Sequence, residues 1–198
     1  MTPPIPRLPL CAALLLAVAV AGCASAPTAP TYPEIRFSGK PAILLDVARV
    51  DIVEAYRSPL KAPNVEHLFP VRPSHAAMQW ARDRLRAGGA TGRAEAVIRD
   101  ASARETALKR TGGVRGAFTA DQAERYDAAI TISVHIFGSL GKELAHASAT
   151  ARYSRTVAED VTLNERERVW HRMTTAMMQA LDKAFEGEVK KSLAPYLK

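Results

Sequence analysis

Chemistry in this chain would have to come from two cysteines and five histidines. The cysteines are Cys11 and Cys23, and the histidines are His67, His75, His135, His146 and His171. Zinc needs His, Cys or carboxylate ligands at short, repeated spacings. No two of these histidines sit at such a spacing with a third ligand beside them, so no metal site is expected. His135 and His146 are the best pair, on neighbouring strand segments and pointing away from the apolar face, where surface histidines explain them equally. There is no nucleophile-elbow pattern. The acidic pair Glu159-Asp160 lies beside a helix start, where the helix dipole favours negative charge in any case. The basic, glycine-rich stretch Lys109 to Gly116 lacks the spacing of a phosphate-binding loop. Neither a catalytic group nor a cofactor is expected, and the chain reads as a non-enzyme.

That leaves the cysteines. Cys11 to Ala21 is an apolar run preceded by a short segment with one basic residue, Arg7. It is too short to span a bilayer, which takes about 20 apolar residues, but it suits a secretory signal. The run ends in Val20-Ala21-Gly22-Cys23. This ending resembles the lipobox of bacterial lipoproteins, which are cut before a cysteine that then carries lipid. Cys11 follows the bulky Leu10 and does not fit that pattern. With the signal removed, Cys23 is the one cysteine left, without an intramolecular partner. The resemblance implies lipidation of Cys23, including palmitate-type acyl chains, and several chains together give firm attachment. Ala24 stands where an Asp retains many lipoproteins in the inner membrane. The resemblance therefore implies the periplasmic face of the outer membrane, with the inner membrane as the alternative.

Composition bounds the rest. Removing 22 of the 198 residues leaves 176, a natural single domain. Such a length buries a real core without disulfides or metals. The formal charge of +7 falls to +6 without Arg7. Basic residues are scattered among acids, which suits a solvated surface; attraction to anionic lipid or lipopolysaccharide is the functional alternative. Export argues against nucleic acid as a partner. The expected organisation is a signal at 1–22, a lipidated terminus and Pro-rich tether at 23–36, and one α+β domain at 37–198. Ala24 to Pro33 carries three prolines and no charge, and extended polyproline II would reach about 30 Å over ten residues.

Within the domain, Ile43 to Tyr56 predicts a strand with a phase change at Ala48-Arg49, as a bulge would give. Ser58 to Pro73 holds four prolines and predicts a loop. Ser74 to Ala87 predicts a helix capped by Ser74 and stopped by Gly88-Gly89. Its Arg84 falls in the apolar stripe, where it would snorkel outward or, less commonly, pair with a buried acid. Arg93 to Leu108 predicts a second strand. Tyr126 to Phe137 alternates strictly, with Tyr126, Ala128, Ile130, Ile132, Val134 and Ile136 on one face. A hairpin loop at 138–142 leads to a returning strand, Leu144 to Val157, with an alanine row against which a helix could pack closely. Thr162 and Glu165 predict a capping box. The helix it opens would bury Trp170, Met173, Met177, Leu181, Ala184 and Phe185 and keep Asp182 outside, with its tail after Gly187 fraying or bending.

The order βαβββα predicts two helices on one face of a four-stranded, largely antiparallel sheet. Together with the lipobox and tether it resembles small envelope lipoproteins: the lipopolysaccharide-assembly lipoprotein of the outer-membrane translocon, YajG-type lipoproteins, and auxiliary lipoproteins of lipid-transport ABC systems. The resemblance implies an accessory or binding protein in envelope assembly or maintenance, with an envelope protein as partner. The alternative is an auxiliary component of lipid or lipopolysaccharide transport. Lys109, Arg110 and Arg115 would then stand at the mouth of a lipid pocket between helices and sheet. A periplasmic hydrolase would need polar groups converging in a cleft.

Overall fold

The structure is a computed structural model that describes residues 31–108, 122–158 and 160–198. Cys23, Lys109, Arg110 and Arg115 lie outside the described residues.

The fold class is α+β, as expected, but the sheet is more elaborate. Among the described residues seven strands run β1 (Ile43–Leu45), β2 (Val50–Glu54), β3 (Leu85–Ala87), β4 (Arg93–Asp100), β5 (Ala103–Ala107), β6 (Gln122–Phe137) and β7 (Glu143–Ala158). The α-helices α1 (Pro73–Arg84) and α2 (Leu163–Ser192) interleave with them. The main sheet has five strands in the order β2-β4-β6-β5, with β7 on the other side of β6. β4 pairs with Thr131 to Phe137 of β6, and β5 pairs with Glu124 to Ala128 of the same edge. The segment expected as one strand is thus two, handing over at Ala101-Ser102. There Asp100 accepts the Ser102 N–H through its side chain, and Ala129 N–H donates to the Ser102 carbonyl.

The first expected strand also divides. β1 pairs in parallel with β3, while β2 pairs in parallel with β4 in the main sheet. The phase change at Ala48-Arg49 is where the chain leaves one sheet for the other rather than a bulge. Parallel pairing of β2 with β4 requires a crossover, and α1 lies within it. α1 starts at Pro73, with Arg72 as its N-cap and no side-chain cap bond. Proline suits the first turn because its missing N–H has no partner there anyway. Ser74 is therefore not the cap. The helix ends at Arg84, not at the glycines, because residues 85–87 extend to pair with β1. Gly89 instead permits a close approach: a Cβ there would stand 2.6 Å from Val47 N.

The long hairpin matches the sequence pattern closely. β6 and β7 pair in register from Glu124↔Val157 to Ile136↔Ala145. The inward row of β6, Tyr126, Ala128, Ile130, Ile132, Val134 and Ile136, is buried throughout. Ala147, Ala149 and Ala151 of β7 are buried on the same face, where α2 packs over them. α2 opens with the expected capping box. Thr162 N–H donates to Glu165 Oε2 at 2.9 Å, and Glu165 N–H donates to Thr162 Oγ1 at 3.3 Å. Its buried stripe runs through Trp170, Met173, Met177, Leu181 and Phe185, continues to Val189 and Leu193, and leaves Ala184 outside. The tail does not fray at Gly187; the helix continues to Ser192. Trp80 meets Phe185 edge-on at 5.0 Å, and Trp170 stacks on Phe69 at 5.0 Å, so aromatic rings fill the space between helices and sheet.

Charge is buried here too. Arg84 does not snorkel; it is 2% exposed and pairs with Asp182, which is fully buried rather than on the outer face. Asp182 also accepts from Trp80 Nε1 at 2.8 Å and Lys40 Nζ at 2.5 Å, while Arg84 reaches Glu186 and the Pro41 carbonyl. Residues 32–36, assigned from the sequence to the tether, pack on the domain: Ile35 is buried, and Arg36 pairs with buried Asp83 at 3.1 Å.

Candidate functional site

Both helices cover one face of the main sheet, and the alternation of β4, β6 and β7 turns polar side chains to the other. The register aligns a transverse row across four strands: Asp51 with Glu95, Glu95 with His135, and His135 with His146. Next to it Ser133 faces Ser148, and two residues further Thr131 faces Thr150, their hydroxyls 2.9 Å apart. Hydroxyl pairing across strands stabilises the sheet without apolar area. β7 adds exposed Arg152. Among the described residues β7 pairs with β6 alone, so its sixteen-residue length is an edge of the sheet. Charged side chains are a common way of keeping such an edge from indiscriminate pairing.

At the hairpin end of this face the polar groups converge. His135 and His146 lie opposite one another with ring centroids 5.5 Å apart. Glu143, at the start of β7, places Oε1 2.9 Å from His135 Nδ1 and 3.3 Å from His146 Nδ1. The hydrogen bond with His135, ahead of the charge the two imidazoles carry when protonated, holds the Glu143 carboxyl below its ordinary range. Behind His135, its Nε2 lies 3.1 Å from Ser133 Oγ and 2.7 Å from the Arg99 guanidinium. Arg99 Nε also donates to Ser133 Oγ at 2.6 Å. Phe137 stacks beside His135 and carries Arg93 4.2 Å above its ring. The sequence brought the two histidines together but missed Glu143. The signal available was Glu143 three residues before His146 on a strand start, and it becomes legible only with the hairpin register. These three side chains offer ligand atoms within 4.8 Å of one another, and among the described residues they form a group that could hold a metal ion.

A second concavity of about 630 Å³ opens beside the N-terminus of α1, lined by Tyr32, His67, Phe69, Arg72, His75 and Arg82 among others. Arg72 Nη2 lies 2.5 Å from His75 Nε2. Burial, and then the nearby Arg72 charge, lower the His75 pKa and favour the neutral ring. The groove is cationic at its rim and open to solvent, and His67 and His75 lie in it rather than near His135.

The other buried carboxylates serve the fold. Glu66 accepts from Tyr56 at 2.7 Å, from Ser58 at 2.5 Å and from the Ala103 N–H at 3.1 Å, tying the proline-rich loop to β5. These bonds saturate its oxygens, which is a structural rather than a catalytic use.

No protein-family model matches the chain, and no curated protein matches it. Among solved structures it is similar to the PelC dodecamer from Paraburkholderia phytofirmans. That likeness has 11% identity and a TM-score of 0.20, and it covers 70% of this chain and 91% of that one. At that score the likeness carries no argument about fold or function.

Proposed function

We propose that this chain is a lipid-anchored accessory protein of the bacterial envelope that works by binding another envelope protein. The anchor would be Cys23, and the domain would sit on the periplasmic side of the outer membrane. The observation that carries the binding half of this reading is the polar face of the main sheet, which no helix among the described residues covers and which ends at the β7 edge. Both helices lie on the other face, so the row from His146 to Ser154 is presented outward on a rigid, fully paired hairpin. A preformed surface of this kind binds without an ordering cost in its backbone.

The interior favours this reading over lipid transport. The layer between helices and sheet is occupied by Trp80, Met173, Met177, Met178, Leu181 and Phe185, all with 1% exposure or less. A lipid carrier needs that space for acyl chains, and cavities for ligands of that size run to several hundred Å³.

The test is site-specific photocrosslinking in cells. A benzophenone side chain replaces Ser148, Thr150 or Arg152 on the sheet face, or Arg172 or Lys183 on the outside of α2. The reading expects one discrete protein adduct shared by the sheet positions and missing from the helix positions. Adducts confined to α2, or stoichiometric phospholipid copurifying with the protein and no protein adduct, would overturn it.

A further inference from the structure

We infer that His135, Glu143 and His146 form a surface site for a divalent ion of the zinc class, held across the β6–β7 hairpin with one coordination position left open. The inference is independent of the lipid anchor and of any protein partner.

The geometry is the first argument. Zinc binds imidazole nitrogen and carboxylate oxygen at about 2.0–2.2 Å, and in a tetrahedron that spaces neighbouring ligand atoms about 3.3 Å apart. Glu143 Oε1 stands 2.9 Å from His135 Nδ1 and 3.3 Å from His146 Nδ1. All three ligand atoms fall within 4.8 Å of one another. The two carboxylate–imidazole separations are therefore already close to those an ion would impose.

Preorganisation is the second. His135 and His146 are register partners near the hairpin end of the β6–β7 ladder, and Glu143 pairs with Phe137 just past a shift of register after Ile136. Binding would fix three side chains but no backbone, so the entropy it costs is confined to rotamers. Exposure rises across the trio: the His135 side chain is 16% exposed, Glu143 42% and His146 63%. The open position therefore faces solvent, where water or a donor atom from another molecule can occupy it.

The donor set selects the ion. Two imidazoles and one carboxylate suit zinc, copper or nickel, whereas magnesium and calcium prefer oxygen alone. Three protein ligands with an open fourth position is the pattern of zinc sites that exchange a ligand rather than purely structural ones.

The neighbours of His135 set a condition on binding. Coordination through Nδ1 requires that nitrogen to be free of its proton, with the remaining proton on Nε2. Ser133 Oγ, 3.1 Å from Nε2, is the acceptor that would orient such a ring. Arg99 opposes this, because its guanidinium donates only and lies 2.7 Å from the same Nε2. Arg99 therefore has to turn aside when the ion binds, and it competes with the metal for the tautomer of His135.

The experiment uses the full-length, tag-free protein in detergent, stripped with chelator and titrated with zinc alone against a chromophoric competitor. The expectation is about one zinc ion per chain, with affinity falling at least about tenfold in His146→Ala and in Glu143→Gln and rising in Arg99→Gln. His171→Ala, on α2 and outside this cluster, should leave it unchanged. His146 is exposed, so its removal leaves the fold intact, and a circular dichroism spectrum checks that. X-ray absorption of the loaded protein should show two imidazoles. Zinc binding that is equal in His146→Ala and the parent, or no stoichiometric binding in a folded parent, would overturn the inference.

Discussion

Arg84 of α1 and Asp182 of α2 meet at 2.7 Å inside the protein, both almost without solvent contact. This ion pair joins the two helices at the point where Trp80 also donates to Asp182. Removing one partner would leave the other buried with only its half-exposed second partner, Lys40 for Asp182 or Glu186 for Arg84, and breaking a buried pair costs up to about 3–5 kcal/mol. Arg84→Ala and Asp182→Ala are each expected to destabilise by that order. The paired replacement Arg84→Met with Asp182→Leu should cost much less, because apolar side chains of similar volume can fill the site. Urea unfolding followed by tryptophan fluorescence measures all three.

Acid should unfold this protein through its buried carboxylates. Burial alone would raise the pKa of Asp182, Asp83 and Glu66, but hydrogen bonds reverse the direction in each case. Asp182 accepts from Lys40, Trp80 and Arg84; Asp83 from the Phe37 N–H, Arg36 and Gln79; Glu66 from Ser58, Tyr56 and the Ala103 N–H. All three therefore stay below the ordinary carboxylate range. A lowered folded-state pKa contributes stability that is fully present above the unfolded value of about 4 and is lost as pH falls through the folded value. The urea midpoint should hold steady near neutrality and drop steeply below about pH 4. Glu66→Gln should flatten that drop while lowering stability at pH 7.

The alanine row of β7 has a measurable consequence. Ala149 is buried beneath α2, whereas Ser148 faces outward. Ala149→Leu should overpack that contact and cost about 1–3 kcal/mol. Ser148→Leu should stay within about 0.5 kcal/mol. Thermal melts of the two variants against the parent separate the faces.

The start of α2 rests on a reciprocal cap. Thr162→Ala removes the acceptor for the Glu165 N–H and should cost about 1 kcal/mol. Thr162→Ser keeps that bond and should recover most of it. Denaturant midpoints at matched slope provide the comparison.

What the sequence made legible, and what it did not, follows from range. The β6–β7 hairpin was readable because its alternation is local and strict, from Tyr126 to Ile136 on one strand. The Thr162–Glu165 box was readable because both partners lie within one turn. Asp182 was misplaced because a polar residue in an amphipathic helix looks external unless its distant partners Arg84, Trp80 and Lys40 are known. The break at Asp46–Arg49 shows in the sequence only as a phase change that reads as a bulge, and the break at Ala101-Ser102 does not show at all, for a similar reason. Each marks a change of pairing partner, from β3 to β4 in one case and along the edge of β6 in the other, and pairing is not written in local periodicity. The His135–Glu143–His146 cluster combines both kinds. Its i,i+3 half is local, and its cross-strand half needs the register.

The anchor is the premise on which the proposed role stands, and the mass of the N-terminal peptide tests it most directly. Protein extracted from membranes is digested, and its first peptide is analysed beside that of Cys23→Ser. The account predicts a peptide that begins at Cys23 and carries a diacylglyceryl group. It also predicts that Cys23→Ser keeps its signal or leaves the membrane fraction. An unmodified Cys23 inside a longer peptide, with Cys23→Ser still fully bound to the membrane, would contradict it.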